Sequence, residues 1–306
     1  MNNKSSITAL MSAFGRAFHA EEETNPIFAD TKAKELIREE EYKAIGCYIL
    51  DGIGFFAPEK KGTFTSDEAA LSYLVHTQIA PTPLARARFC EDSLKAAMRT
   101  GTEQYVILGA GMDTFAFREP EFMKRYKVYE VDHPLTQADK KERVRHAGLE
   151  IPDNLCYVPV DFAVDRLNEK LLKAGFDPTK KTFFSWLGVS YYLSIEQIEA
   201  MLESLVVLST EGSSLVFDYA DEGLFTSDVK RVQNMLAMAA AGGEPMKTCF
   251  SYASLEALLE KHKLLIYELL TTQDIQTRYF DGHDNKVTAF QHINYVTAVV
   301  QPTVKW

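Results

Sequence analysis

Apolar residues recur at helical spacing over the first hundred positions, as at Ala33, Leu36 and Ile37 and again at Leu84, Phe89, Leu94, Ala97 and Met98. No stretch there alternates as a half-buried strand would. The pattern predicts a helical segment over 1–100. Its opening run, 7–14 (ITALMSAF), is expected to be an amphipathic helix and not a signal peptide, since Ser12 interrupts it and Arg16 closes it. From Gln104 the texture changes: short β-branched or aromatic runs (YVILGAG, KVYEVD, CYVPVDF, TFFSWLGV, SLVFDYA) alternate with polar helical stretches. Five such β/α repeats predict a mainly parallel sheet with helices on both faces. After Ala220 the rhythm breaks, and 221–250 is expected to be a helical insertion closed by Gly242, Gly243 and Pro245. It resumes with helix SLEALLEKH, strand LLIYELL and a final strand HINYVTAVV. With no flexible linker between the halves, segment 1–100 is expected to pack as a lid on an α/β core spanning 101–306.

Composition adds exclusions. At 306 residues, 46% apolar and 25% charged, the chain has the make-up of an ordinary globular protein. Its net charge of −10 argues against a broad nucleic-acid footprint or an anionic membrane surface as partner, because both need clustered cations. No run approaches the roughly 20 apolar residues of a membrane span. Cys47, Cys90, Cys156 and Cys249 are scattered, with no CxxC pair and no histidines at zinc-ligand spacing. They read as free thiols of a cytoplasmic protein, and no metal is expected.

The chemistry starts at Tyr105-Val-Ile-Leu-Gly109-Ala-Gly111-Met-Asp113-Thr114, where a buried strand runs into two glycines that permit a tight turn and close approach of backbone to a ligand. The second strand ends in Glu130-Val-Asp132-His133-Pro134, its last acid 23 residues beyond Gly109, the spacing at which a β/α/β unit sets a carboxylate on a ribose diol. Glu130 and Asp132 share a face; one is expected to take the ribose and the other to brace the loop. A dinucleotide fingerprint would place glycine or alanine at Thr114, and Asp113 would oppose a pyrophosphate, so a phosphate-free nucleoside with a cationic sulfur, S-adenosylmethionine, fits better. The competing reading of Asp113 and Thr114 is helix N-capping. The third strand ends in Asp161-Phe162, an acid for an adenine amine beside an apolar ring; helix capping is again the alternative for Asp161.

Taken together, Leu108-Gly-Ala-Gly-Met-Asp-Thr114 with Arg118, Glu130-Val-Asp132-His-Pro134, Asp161-Phe162, Gly188-Val-Ser-Tyr-Tyr-Leu193, Gly243-Glu-Pro245 and Arg278-Tyr-Phe280 resemble the class I methyltransferases of the leucine carboxyl methyltransferase group, which includes bacterial relatives of polyketide O-methyltransferases. The resemblance covers most of the chain. It implies a Rossmann-like, seven-stranded, mostly parallel sheet and a cofactor site lined by Gly109, Gly111, Asp132, Asp161 and Phe162. It also implies that an arginine of Ala85-Arg86-Ala-Arg88 reaches the methionine carboxylate, with Arg86 the first choice and Arg88 the second, against the alternative that both are solvated charges. One departure stands out: where family members often carry a glutamate before the glycine of the fourth strand, this chain has Leu187, which can serve only as a wall.

The implied activity is O-methylation of a small-molecule carboxylate or hydroxyl, an in-line displacement that needs alignment and exclusion of water more than a catalytic side chain. Tyr191, Tyr192 and His133 are the candidates for a base, against packing for the tyrosines and turn-shaping for His133. Tyr192, Arg278 and Arg16 are the candidates for acceptor contacts, with pairing to an acid of the lid the alternative for Arg278. Met235, Met238 and Met246 are core candidates first and an adaptable apolar wall second, with Phe14 beside Arg16 on the lid. No specific protein partner is evident. Two competing functions share the glycine turn and acid: an NAD-dependent oxidoreductase, and a catalytically silent protein that binds the methyl donor.

Overall fold

The computed structural model describes residues 7–162, 164–283 and 286–302. Seven strands, β1 (Gln104–Leu108), β2 (Lys127–Asp132), β3 (Leu155–Pro159), β4 (Thr182–Trp186), β5 (Ser214–Ala220), β6 (Leu264–Leu270) and β7 (Ile293–Val300), form one sheet in the order β3-β2-β1-β4-β5-β7-β6. The first five are parallel, and β7 runs antiparallel between β5 and β6. Strands β1, β4 and β5 are buried at every position, as strands covered by helices on both faces must be. The winding departs from β1 toward β2 on one side and toward β4 on the other. That reversal leaves a crevice at the carboxyl ends of β1 and β4.

Side-chain alternation divides the apolar residues into two cores. Tyr105, Phe183 and Val216 join Phe14, Leu84 and Phe89 of the N-terminal helices. Val106, Phe184 and Leu215 pack on the opposite face with Leu171, Leu202 and Leu255. The first hundred residues therefore share the core of the sheet, and Phe14 is fully buried there instead of facing a ligand. The stretch 221–250 is less helical than expected. It holds the helix Lys230–Ala241 and a short turn Leu224–Thr226, after which the chain returns to the sheet, the Phe250 N–H donating to the Ala220 carbonyl at 2.9 Å. Met246 is buried in the core. No helix among the described residues is long and apolar enough to cross a membrane.

A buried histidine pair ties the opening helix Ile7–Glu22 to the π-turn Val75–Ile79. The ligand atoms of His19, Glu23 and His76 lie within 4.8 Å of one another, a spacing open to a metal ion. The backbone N–H of Ile27, however, donates to His19 Nε2 at 3.0 Å, which fixes the proton on Nδ1, 3.3 Å from His76 Nε2. A metal on Nδ1 would force a proton onto Nε2 against that N–H, so the cluster is a neutral hydrogen-bonded pair. Burial, with His76 and His283 nearby, pushes the His19 pKa down to about 3, and burial lowers His76 despite Glu23. The unfolded chain protonates these rings near pH 6.5 while the folded one does not, so their stability contribution is complete above that pH and is lost as pH falls. Between pH 7 and 5 His19 alone should remove about 2 kcal/mol. Urea unfolding at both pH values checks this: His19→Gln should flatten the acid-side loss, and an equally steep loss in that variant would contradict the assignment.

Candidate active site

A cavity of about 700 Å³ opens where the tips of β1, β2 and β4 meet, a usual size for a small-molecule site. Gly109 and Gly111 take left-handed φ angles of +67° and +48°, which let the turn fold back beneath the cavity. The Gly109 N–H donates to the Val131 carbonyl at 2.8 Å, and the Gly111 N–H donates to Asp132 Oδ2. Asp132 Oδ1 accepts the His133 N–H at 2.6 Å. One carboxylate thus clamps the glycine turn while remaining open to the cavity. Burial pushes its pKa up, and the two backbone donors only partly offset that. Glu130, on the same strand face, is buried against Lys140 and does not line the cavity. The loop is thus braced by Asp132 itself, and Glu130 is held by Lys140 instead.

Asp113 and Thr114 also divide. Asp113 Oδ1 accepts the Phe115 N–H at 2.8 Å and caps the short helix behind the turn. The Thr114 hydroxyl makes no cap; it donates to Asp30 Oδ1 at 2.6 Å and accepts from Arg118 Nε at 2.9 Å. Asp30, 1% exposed, also accepts from Arg16 Nε at 2.8 Å. Burial raises its pKa, but Arg16 and Arg118 outweigh that and hold the carboxyl below its ordinary range. Arg16 Nη2 in turn donates to the Met112 carbonyl at 2.8 Å, fastening the opening helix to the glycine turn.

Arg86 is a buried cation at the floor of the cavity. It projects from the helix Pro81–Arg99, where Nη1 reaches the Tyr191 hydroxyl and Asp218 Oδ2, each at 3.2 Å, and Nη2 reaches Ser12 Oγ at 3.3 Å. Asp218 is fully buried on β5, and its Oδ1 accepts the Gly188 N–H at 2.6 Å. Gly188 has φ +71°, and a Cβ there would lie 2.5 Å from Arg86 Nη1, so the glycine makes room for the guanidinium. Ser12 accepts from both Arg16 Nη1 (3.0 Å) and Arg86, joining the opening helix to the floor of the cavity. Arg88 is half exposed and pairs with Asp92 at 3.0 Å, so of the two expected arginines Arg86 is the one that lines the cavity.

Gly109, Gly111, Asp132, Phe162, Leu187 and Arg86 therefore line one cavity, as do His133, Tyr191, Tyr192, Arg16, Met235 and Met238. Three expected residues do not. Asp161 lies outside the lining: β3 ends at Pro159, Val160 turns inward to full burial, and Asp161 turns toward the His133 side, 3.8 Å from its Nε2. Arg278 faces no acceptor pocket but pairs with Glu268 at 2.7 Å on the outer strand β6, away from the cavity. Met246 belongs to the core. His133 Nδ1 accepts the Leu135 N–H at 3.3 Å and so caps the following helix. Asp218 was not anticipated, although an acid inside the apolar run SLVFDYA was a visible signal.

The leucine carboxyl methyltransferase family model matches residues 9–206. "Putative S-adenosyl-L-methionine-dependent methyltransferase YktD" of Bacillus subtilis (strain 168) is 47% identical over 300 residues, covering 97% of this chain and 98% of that one. The chain belongs to the leucine carboxyl methyltransferase family. A family-like relative from Mycolicibacterium gilvum (strain PYR-GCK), also named an S-adenosyl-L-methionine-dependent methyltransferase, is 32% identical over 69% of this chain and 65% of its own. Among solved structures, a Thermobifida fusca YX protein described as a methyltransferase superposes over 98% of this chain and 96% of its own with a TM-score of 0.58 at 13% identity, a likeness of fold. The seven-stranded methyltransferase sheet is thus the architecture of this chain, and the arginine, glycine turn and acid at its strand tips form the cavity of a leucine carboxyl methyltransferase family member.

Proposed function

We propose that this methyltransferase moves a methyl group from S-adenosylmethionine to an oxygen, carboxylate or hydroxyl, of a small molecule. The observation that carries the reading is the convergence of Arg86, Asp132 and Phe162 on one cavity beside the glycine turn. These residues fit the donor: a guanidinium for its carboxylate, an acid for its ribose diol, and an apolar face beside Leu187 for its purine. When bound, S-adenosylmethionine supplies an electrophilic methyl group on a sulfonium.

The chain's own part is to bind, orient and exclude water. Asp218, Tyr191 and Ser12 hold the Arg86 guanidinium in one orientation before any ligand arrives. The opening helix covers the turn, with Thr8 Oγ1 donating to Glu244 across the cavity mouth. Burial and the charge of Asp218 push the Tyr191 phenol well above its usual pKa, and burial takes Tyr192 up to about 12, so both hold their protons at neutral pH and neither is assigned as a base. An acceptor that is already anionic needs none. The oxidoreductase reading has lost its support with the family assignment.

Titration with S-adenosylmethionine should show binding that weakens by roughly 1–3 kcal/mol, several-fold to a hundredfold, in Asp132→Ala. Unchanged affinity in that variant would remove Asp132 from the site. Methyl-labelled donor, offered with a panel of carboxylic acids, phenols and alcohols, should leave label in esters or ethers. Label recovered only on nitrogen, carbon or sulfur would end the oxygen assignment, and tight binding without turnover would favour the silent protein.

A further inference from the structure

Among the described residues four arginines line the cavity, and three have carboxylate partners: Arg16 with Asp30 at 2.8 Å, Arg86 with Asp218 at 3.2 Å, and Arg118 with Glu91. The fourth, Arg231, has none. It sits in the first turn of the helix Lys230–Ala241, beyond the part of the chain that the family model matches. Its Nε donates to Gln291 Oε1 at 2.6 Å, its Nη1 to Thr288 Oγ1 at 3.0 Å, and its Nη2 to the Ala289 carbonyl. Every one of these acceptors is neutral. Burial alone pushes its pKa down to about 10, so it remains cationic at neutral pH with no carboxylate partner among the described residues.

Apart from these neutral acceptors, apolar groups flank it. The guanidinium carbon lies 4.7 Å from the centre of the Phe290 ring, and Met235 and Met238 follow it along the same helix into the cavity wall. Phe56 joins them through its carbonyl, which accepts from Asn234 Nδ2 at 3.3 Å. Glu244, an acid on the same wall, lies past the far end of this helix of 12 residues, about 18 Å long, and is engaged by Thr8. A cation kept in a low-dielectric wall without a counter-charge is costly unless a ligand provides one.

We propose that Arg231 is a specificity-determining residue that recognises an anionic group on the methyl acceptor, whose apolar body packs on Met235, Met238 and Phe290. The inference rests on reading this cavity as the site of methyl transfer. Arg231 also clamps the chain at 288–291, and the test separates that structural role from ligand recognition.

The experiment is calorimetric titration of the protein saturated with S-adenosylhomocysteine, whose own carboxylate the proposed function assigns to Arg86, using octanoate and its neutral isostere octanamide as probes. Octanoate should bind about ten- to a hundredfold more tightly, the range for a charged hydrogen bond. Arg231→Gln should abolish the preference, and Arg231→Lys should retain most of it. A clamp alone would lower affinity for both probes equally and leave no charge preference. Equal affinities in the unmodified protein, binding of neither probe, or a preference that survives Arg231→Gln would each overturn the proposal. If the preference holds but label from the donor never reaches oxygen, the O-methylation reading fails while this one stands. If S-adenosylhomocysteine itself does not bind, the cavity is not a methyl-transfer site and both fall.

Discussion

Asp218→Ala should destabilise the protein by about 3–5 kcal/mol, the usual consequence of leaving one member of a buried ion pair alone. Asp218 is fully buried, and its two oxygens serve different groups: Oδ1 takes the Gly188 N–H, and Oδ2 takes Arg86 and the Tyr191 hydroxyl. Removing them strands a guanidinium that is only 16% exposed. The same change frees Arg86 from its orientation, so donor affinity should fall together with stability. Asp218→Asn keeps an acceptor for the Gly188 N–H but leaves Arg86 without a counter-charge and turns an amide donor toward it. It should recover only the Gly188 hydrogen bond, staying well below the parent in stability and binding the donor at least about tenfold more weakly. Urea unfolding and donor titration read the two quantities separately. A loss below about 1 kcal/mol in the alanine variant would mean that solvent, and not Asp218, balances Arg86.

Lys140→Met should cost a similar amount, about 3–5 kcal/mol, without touching the cavity. Lys140 and Glu130 are each 1% exposed and meet beneath the tip of β2. Burial already raises the Glu130 pKa to about 7 against the opposing pull of Lys140, with Asp113 and Asp132 adding like charge. Without the lysine the carboxyl rises further. A folded-state pKa above the unfolded one means stability that is intact below the unfolded value and lost as pH rises through the folded value. The variant should therefore be weaker at pH 8 than at pH 6, the opposite slope to that of the His19 pair. Adding Glu130→Gln should recover most of the loss and remove the slope. A single variant with parental stability at pH 8 would show that the pair is dispensable.

The sheet was readable because its strands are apolar runs too short and too β-branched to be helices, each followed by a polar helical stretch. The glycine turn and Asp132 were readable for a similar reason, since local spacing within one β/α/β unit fixes their relation. Asp161 illustrates the limit of that logic. β3 stops at Pro159, two residues short of Asp161, so the acid follows irregular backbone whose direction alternation cannot set. Arg278 is taken by Glu268, 10 positions earlier on β6, whereas Asp218 depends on a contact across the fold with Arg86, 132 positions away. An acid inside an otherwise apolar strand does announce that a partner exists, but not which one. The pairing of Thr114 with Asp30, 84 positions apart, carried no such local sign.

The placement of β7 between β5 and β6 has a consequence for biosynthesis. As the polypeptide emerges from the ribosome, β5 can dock on β4 early, but its other edge stays open until positions 293–300 have been translated. Asp218 lies on that strand opposite Tyr295, so the chamber that encloses its charge cannot be sealed before the closing hairpin arrives. A nascent chain stalled short of that point would display an unfinished edge suited to pairing with another copy, and chaperones would have most to guard in that interval.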